Sequence, residues 1–197
     1  MLVLASASPR RRDLLTSEGL PFRVQPSDAE EITHAETPAL LTTTNALIKA
    51  RPIAELNPES VVIGADTLVF LDGESLGKPS DLEEAERMVG RLAGRTHEVI
   101  TGVAIMHVKA NLEETFHVAS QVTFKQLNAD EIRDYLGVIE PLDKAGGYAA
   151  QEHGDKIIAS IEGPESNVIG LPVEKLREIL HSDRWESLWT EGNSKGD

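Results

Sequence analysis

The segment "VVIGADTLVFLDGESLG", residues 61–77, predicts two strands that turn at Asp72-Gly73. Helix patterns flank it, one opening at Pro38 and one over "SDLEEAERMVGRLAGR", residues 80–95. Alternating strands and helices are typical of an α/β protein, and a hairpin adds antiparallel pairing to the parallel kind. The sequence therefore predicts an α/β protein with a mixed sheet.

The rest of the chain follows the same alternation. Further strands are predicted at residues 2–5, 22–26, 97–108, 114–124 and 157–161. Further helices are predicted from Pro9 to about Glu18, over residues 128–137 and from Pro172, while Pro52 is expected to kink or end the helix that opens at Pro38. Ser8, Ser80 and Asn128 are the predicted N-caps. We expect one domain over residues 1–197, with a frayed, peripheral tail from about residue 182 whose Trp185 and Trp189 pack either on the body or on a partner.

Composition narrows the class of function. The 197 residues contain 33 acidic and 19 basic side chains, a net charge of −14, which disfavours binding to a nucleic-acid polymer. The sequence has no cysteine, so disulfides, thiolate metal sites and cysteine nucleophiles are excluded. No apolar run approaches the roughly 20 residues of a membrane helix, and the N-terminus lacks a secretory pattern. We expect a cytoplasmic protein that does not bind membranes.

The segment "LASASPRRRDLL", residues 4–15, places basic side chains at a strand-to-helix turn. Ser6, Ser8, Arg10 and Arg11 surround the predicted helix start, where backbone N–H groups bind anions and the guanidinium fork suits phosphate. Cations at a helix N-terminus oppose its macrodipole, and a bound anion would relieve that conflict. The alternative is an ordinary solvated helix face.

Several acidic and basic residues are candidates for phosphate chemistry. Asp66 in "GADT" is expected near a strand end, as a metal ligand, a general base or a plain turn residue. Glu30 or Glu31 is a candidate to join it around a hard cation, since Mg²⁺ takes one or two carboxylates and completes its shell with water and phosphate oxygens. Lys78 in "GKP" is either a point charge for phosphate or a hairpin-end lysine, because its spacing does not fit a P-loop.

The segment "EPLDKAGGYAAQ", residues 140–151, combines charge with glycine. Glu140, Asp143 and Lys144 alternate in sign, and Gly146-Gly147 permits close backbone approach. Tyr148 and Gln151 are candidates to stack on a base and hydrogen-bond it. A polar turn is the alternative.

Six motifs in order resemble the Maf family of nucleoside triphosphate pyrophosphatases. They are "SASPRR" (6–11), "GADT" (64–67), "GKP" (77–79), "GRTHEVITG" (94–102), "EPLDKAGGYAAQ" (140–151) and "NVIGLP" (167–172). The resemblance implies a cytoplasmic, often homodimeric enzyme that hydrolyses nucleoside triphosphates to the monophosphate and pyrophosphate, with Mg²⁺ or Mn²⁺. It also implies a two-lobed α/β/α fold with an elongated mixed sheet and a central cleft, similar to that of inosine triphosphatases.

The resemblance also assigns roles to residues. Asp66 matches the proton acceptor, and Arg10, Thr67 and Gln151 match the positions tied to substrate choice. Gln151 is similar to the dTTP/UTP branch, whereas the 7-methyl-GTP branch has Glu there; Glu152 departs from the glycine that commonly follows. The alternative function is a non-catalytic nucleotide-binding regulator of septum formation in cell division.

The full expected site follows from these roles. The catalytic residues are Asp66, Lys78, Glu140 and Asp143, the last two as second candidates for metal ligand or base. The substrate-binding residues are Ser6, Ser8, Arg10, Arg11, Lys49, Thr67, Lys144 and Gln151. Glu31 and Asp66 are the expected metal ligands.

Overall fold

The computed structural model of the chain describes residues 1–190. Its strands are β1 (Leu2–Leu4), β2 (Phe22–Val24), β3 (Val61–Leu71), β4 (Glu74–Leu76), β5 (Thr96–His107), β6 (Leu112–Phe124) and β7 (Ile158–Glu162). Its helices are α1 (Pro9–Ser17), α2 (Pro38–Leu56), α3 (Leu82–Leu92), α4 (Ala129–Leu136), α5 (Gly154–Ile157), α6 (Glu165–Ile169), α7 (Val173–Leu180) and α8 (Glu186–Thr190). Within these residues, no helix is long and apolar enough to span a bilayer.

The strands form one mixed sheet in the order β2-β1-β3-β5-β6-β7, with β4 paired to β3. Strand β1 pairs in parallel with β2 and β3, so that Leu2 lies opposite both Phe22 and Val61. The pairs β3–β4 and β6–β7 are antiparallel. Asp72 and Gly73, at the β3–β4 turn, both have positive φ, as a type I′ hairpin requires. The predicted mixed α/β fold is confirmed.

The chain divides into two compact units. The first unit contains residues 1–66 and 101–118 and the chain from 170 onward, and it has three layers. Alternate strand residues point to opposite sides of the sheet. On one side Leu2, Leu4, Val61 and Ile63 join a buried cluster with Leu15 of α1, Leu176 of α7 and Trp185. On the other side Val3 and Val62 join a cluster with Ala46, Ala50 and Ile53 of α2.

The second unit contains residues 67–100 and 119–169. Helix α3 buries Ala85, Val89 and Leu92 on one face, whereas Leu82, which the sequence periodicity predicts on the same face, is 60% exposed. These side chains share a core with Ile132 and Tyr135 of α4. The N-cap predicted at Asn128 is confirmed, and it forms a capping box, because the Asn128 side chain accepts from Glu131 N while the Glu131 carboxylate accepts from Asn128 N.

At helix positions one predicted N-cap is wrong, one confirmed N-cap lacks its side-chain bond, and one predicted helix end does not occur. The N-cap of α3 is Asp81, whose carboxylate accepts from Glu84 N at 2.7 Å, and not Ser80. Ser8 occupies the N-cap position of α1 but makes no side-chain capping bond. Helix α2 continues past Pro52 to Leu56, because Ile53 and Ala54 beyond it are buried and their packing offsets the missing N–H.

The expected fraying of the tail does not apply to its described part. Trp185 is fully buried and Trp189 is nearly so, and both belong to the first unit's core. The Trp185 indole N–H donates to Glu114 at 2.7 Å, and the Trp189 indole N–H donates to the Leu180 carbonyl at 2.9 Å. Both rings therefore pack on the body, and the rest of the expected frayed tail, residues 191–197, lies outside the described residues.

Candidate active site

Helix α2 crosses the sheet at two glycines, and this contact sets the geometry of the first unit. A Cβ on Gly64 of β3 would lie 2.3 Å from the Ala46 carbonyl oxygen. A Cβ on Gly102 of β5 would lie 2.3 Å from the Thr42 carbonyl carbon. Any side chain at either position would therefore push the helix off the sheet. Because α2 lies so close to the sheet, its polar side chains contact the residue that follows Ala65 on β3.

That residue is Asp66, and Lys49 of α2 binds it. The Lys49 Nζ lies 2.7 Å from Asp66 Oδ1 and 2.8 Å from Glu31 Oε1, so one ammonium bridges two carboxylates. Asp66 is 4% exposed, whereas Glu31 lies in the irregular segment before α2 and is exposed. Since a buried charge is tolerated only when it is paired, Lys49 and Asp66 depend on each other. The structure thus brings Glu31, Lys49 and Asp66 into one cluster.

Asn45 completes the cluster and was missed by sequence reasoning. Its side chain is 1% exposed, and its Nδ2 donates to Asp66 Oδ2 at 3.1 Å and to the Ile32 carbonyl at 3.1 Å. Its Oδ1 accepts from Ile32 N at 2.9 Å. Asn45 therefore ties the segment that carries Glu31 to the strand that carries Asp66. The sequence did contain a sign of this role, because Asn45 lies one helical turn before Lys49 and therefore on the same face of α2.

The strand position of Asp66 differs from the prediction. Strand β3 continues through "GADT" to Leu71, so Asp66 lies inside the strand and not at its end. The parallel partner β1, however, pairs with β3 only as far as Leu4 opposite Ile63. Asp66 therefore lies beyond the carboxyl end of the parallel pairing, at the level where the chain leaves β1 for α1. Such ends are where α/β sheets usually bind ligands.

The turn between β1 and α1 brings Arg11 and the serines together. The Arg11 Nε donates to the Gly170 carbonyl at 2.7 Å, and its Nη1 donates to Ser6 Oγ at 3.2 Å. Ser6 Oγ also accepts from Ser8 N at 3.3 Å. Burial lowers the pKa of Arg11, and the Asp66 carboxylate opposes that shift while the Arg10 guanidinium adds to it. Asp66 and Arg10 therefore both act electrostatically on Arg11.

In the second unit the lysine of "EPLDKAGGYAAQ" is buried. Lys144 is 4% exposed, and its Nζ donates to the Glu140 carbonyl at 2.7 Å and to Asp143 Oδ1 at 2.8 Å. Glu152 Oε1 lies 3.6 Å from the same nitrogen. The Gly146 N–H donates to the Gly77 carbonyl at 2.9 Å, which joins this loop to the backbone next to Lys78. The segments "GKP" and "EPLDKAGGYAAQ" are thus brought together.

Tyr148 does not face solvent as a base-stacking residue would. Its side chain is buried, and its ring packs edge-on against His97 and Phe124. Its hydroxyl forms a hydrogen bond of 2.8 Å with His97 Nε2, and burial raises the pKa of the Tyr148 hydroxyl. Burial also lowers the pKa of His97 to about 4, so His97 is neutral at pH 7. The expected stacking role of Tyr148 is therefore wrong, because the ring belongs to the second unit's core.

The remaining expected site residues vary in exposure. Glu140, Asp143, Lys78 and Gln151 are exposed, while Thr67 follows Asp66 on β3 and is partly buried. Lys144 binds the carboxylate of Asp143. At Glu140 it binds the backbone carbonyl and not the side chain. Exposure leaves these side chains accessible to a ligand.

The Glu31–Asp66 pair fits a divalent metal by the type of its donors. Both carboxylates already converge on one cation, the Lys49 ammonium, and hard cations prefer carboxylate oxygen. No group of three or more potential metal-ligating side chains occurs within residues 1–190. Mg²⁺ and Mn²⁺ take one or two carboxylates and complete their coordination with phosphate and water, so the donor types of this pair are compatible with such an ion.

Comparison with known proteins assigns the chain to a family. The sequence pattern of the family described as Maf-like protein matches residues 1–183. The chain belongs to the Maf family. This Maf protein is 47% identical over 181 residues to the dTTP/UTP pyrophosphatase of Akkermansia muciniphila, an alignment that covers 91% of this chain and 95% of that protein.

Other relatives of this Maf protein carry the same name. It is 47% identical over 180 residues to the dTTP/UTP pyrophosphatase of Moorella thermoacetica, with 91% of this chain and 93% of that protein covered. Among solved structures, the Staphylococcus aureus Ham1 protein matches with a TM-score of 0.55 and 15% identity, over 91% of this chain and 97% of that chain. At that identity the likeness concerns the fold alone.

Proposed function

We propose that this Maf protein hydrolyses dTTP and UTP between the α and β phosphates, releasing the nucleoside monophosphate and pyrophosphate. Modified pyrimidine nucleotides are further substrates in a house-cleaning role. The observation that carries the proposal is the match, over more than nine-tenths of the chain, to relatives named dTTP/UTP pyrophosphatase. The cluster of Asp66, Lys49 and Glu31 supports it, because hydrolysis of a phosphoanhydride needs a base, and paired carboxylates suit a divalent cation that neutralises phosphate charge.

Asp66 is the group that accepts a proton from the attacking water. Its carboxylate is held at both oxygens, Oδ1 by Lys49 and Oδ2 by Asn45, so its orientation is fixed before substrate binds. A fixed base loses little conformational freedom when the reaction begins. Water is the nucleophile, and no covalent intermediate is needed.

Basic side chains neutralise the triphosphate in a protein whose net charge of −14 would otherwise repel it. The proposed set is Arg10, Arg11, Lys49, Lys78 and Lys144. Ser6 and Ser8 belong to the same anion site at the start of α1. Arg11 serves from a fixed position, since Ser6 and the Gly170 carbonyl both hold its guanidinium.

Glu31 and Asp66 would hold a divalent cation, Mg²⁺ or Mn²⁺, together with phosphate oxygens. When bound, such a cation polarises the α-phosphoryl group as a Lewis acid. The Lys49 ammonium, which contacts both carboxylates and is 13% exposed at its side chain, would add positive charge beside that cation. Glu140 and Asp143 remain second candidates for ligand or base.

Base recognition is proposed for Gln151, with Arg10 and Thr67 contributing to substrate choice. A glutamine amide presents both a donor and an acceptor, which suits the adjacent carbonyl and N–H of thymine and uracil. Gln151 is exposed and thus accessible to a base.

The test is pyrophosphate release from a panel of dTTP, UTP, CTP, modified pyrimidine nucleotides and 7-methyl-GTP, each with Mg²⁺, with Mn²⁺ and with a chelator. We expect release from dTTP and UTP that depends on the metal, and at least about tenfold lower kcat/KM for 7-methyl-GTP. Tight nucleotide binding without pyrophosphate release would reject the enzyme and support a nucleotide-binding regulator. Pyrophosphate release that is unaffected by the chelator would show that the reaction does not require a divalent metal.

A cytoplasmic location and a homodimer accompany the proposal, as the family resemblance implies. Light scattering of the purified chain tests the assembly, and a monomer at micromolar concentration would contradict it.

A further inference from the structure

The loop that carries Gln151 is held by a tyrosine from another element. Tyr135, near the end of α4, is 1% exposed, and its hydroxyl makes two hydrogen bonds to the backbone of Ala149. The hydroxyl donates to the Ala149 carbonyl at 3.1 Å and accepts from Ala149 N at 2.9 Å. One side chain therefore satisfies both polar backbone groups of a buried loop residue.

The loop needs such an anchor because regular structure contributes little to it. Between α4 and α5, the chain forms only two short 3₁₀ turns, Pro141–Asp143 and Ala145–Gly147, in the part of the chain that the structure describes. Gly146, Gly147 and His153 have positive φ, so the loop changes direction at both ends of the segment 148–152. The Tyr148 side chain is fixed by His97. The backbone that follows is fixed by Tyr135.

Gln151 lies two residues beyond this anchor, within about 7 Å along the chain. Glu152, next in sequence, has its carboxylate 3.6 Å from the buried Lys144 ammonium. The exposed Gln151 side chain thus projects from a short backbone segment with the Tyr135 hydroxyl before it and the Lys144 contact after it.

The hydroxyl can perform both hydrogen-bonding tasks at neutral pH. Burial, opposed by the hydrogen bond to Ala149 and aided by the Glu152 carboxylate, raises the pKa of Tyr135 to about 12. The hydroxyl is therefore protonated and serves as donor and acceptor together. A phenylalanine would keep the ring packing and remove only these two bonds.

We propose that Tyr135 is a positioning residue for base recognition, whose hydroxyl fixes Ala149 so that Gln151 faces the pyrimidine. This rests on the proposed function. Tyr135 does not contact the reacting atoms, so it acts on discrimination between bases and not on phosphoanhydride cleavage.

The test is Tyr135→Phe, assayed by pyrophosphate release from dTTP and dCTP. We expect KM for dTTP to rise about tenfold with kcat within about threefold, and the dTTP-to-dCTP ratio of kcat/KM to fall about tenfold. Hydrogen exchange of the Ala149 amide, which needs no turnover, should accelerate at least about tenfold because its acceptor is gone.

The matched control is Ser120→Ala. Ser120 is buried in the same unit, and its hydroxyl also makes two hydrogen bonds, donating to the Pro164 carbonyl and accepting from Asn167. We expect this variant to lose stability with no change in the dTTP-to-dCTP ratio. An equal change of that ratio in both variants would mean that any buried hydroxyl has the effect, and it would overturn the proposal.

A double-mutant cycle with Gln151→Ala identifies the residue through which Tyr135 acts. Gln151 is exposed, so its truncation does not disturb the core. In that background Tyr135→Phe should leave the ratio unchanged. If the unaltered protein releases no pyrophosphate, the proposed function fails; if it does and Tyr135→Phe keeps the ratio, only the positioning role fails.

Discussion

Each unit of the molecule holds a lysine among several acceptors, Lys49 partly buried and Lys144 buried, but the two lysines are held in different ways. Lys49 binds two carboxylates that lie 18 residues before it and 17 after it, Glu31 and Asp66. Lys144 binds acceptors within eight residues of itself, namely the Glu140 carbonyl, Asp143 and Glu152. The first arrangement depends on tertiary structure and the second on a local turn.

The two arrangements also differ in how closely their carboxylates approach. At Lys49 both carboxylates lie within 2.8 Å of the ammonium, and their excess of negative charge suits a further cation. At Lys144 a backbone carbonyl and one carboxylate take the short contacts, at 2.7 and 2.8 Å, while the second carboxylate, Glu152, lies at 3.6 Å. We infer that the first lysine serves the reacting centre and the second serves binding of the triphosphate.

The largest effect is expected for Asp66→Asn, which tests the chemistry of the first cluster. An asparagine keeps the size of the side chain and an acceptor for Lys49, but it removes the proton acceptor and turns an amide N–H toward the Asn45 donor. Turnover of dTTP should fall by about 10²–10⁴-fold with the fold intact, and the lost carboxylate should lower the thermal unfolding midpoint. The matched control is Asp72→Asn at the exposed hairpin turn, for which we expect unchanged turnover. Near-normal turnover of Asp66→Asn would show that Asp66 is not the general base.

The next effect compares the lysines directly, as Lys49→Met and Lys144→Met. Lys49→Met leaves Asp66 buried without its cation, so kcat for dTTP should fall by about 10²-fold. In Lys144→Met the exposed Asp143 carboxylate is hydrated by water in place of the lysine, and a positive charge for the triphosphate is lost. The KM should therefore rise about tenfold with a small change in kcat. Steady-state kinetics of both variants check this. The same split of kcat and KM in both would refute the distinction between the two lysines.

The smallest effect is expected for the pH dependence of stability that His97 gives to the second unit. Folding lowers the pKa of His97 to about 4 from its ordinary value of about 6.5, because of burial. Its contribution to the free energy of unfolding is therefore full above about pH 6.5 and is lost as the pH falls through about 4. The loss is about 3 kcal/mol. In His97→Gln, which retains a partner for Tyr148, urea unfolding at pH 7, 5.5 and 4.5 should show a correspondingly smaller decline.

The control for this titration is His34→Gln, at an exposed histidine in the first unit. We expect its stability to follow that of the unaltered protein at each pH. An identical decline in His97→Gln and the unaltered protein would contradict the assignment of the titration to His97.

Much of the fold could be predicted because local patterns specify it. The periodicity of α3, the capping box at Asn128 and the hairpin turn at Asp72-Gly73 each involve residues close in sequence. The errors arose where distant packing decided the result. Helix α2 passes Pro52 because the residues after it are buried, and Trp185 is buried because the first unit's core accepts it.

The candidate site divides along the same line. The sequence by itself determined which segments carry phosphate-binding and acidic residues, because residue type and spacing suffice for that. Only the tertiary structure decided that Lys49 and Asn45 lie on Asp66. That contact exists because Gly64 and Gly102 let α2 approach the sheet backbone, a distance that no local pattern contains. It also decided that Tyr148 points into the core while Gln151 faces solvent, because His97 and Tyr135 hold the loop from other elements.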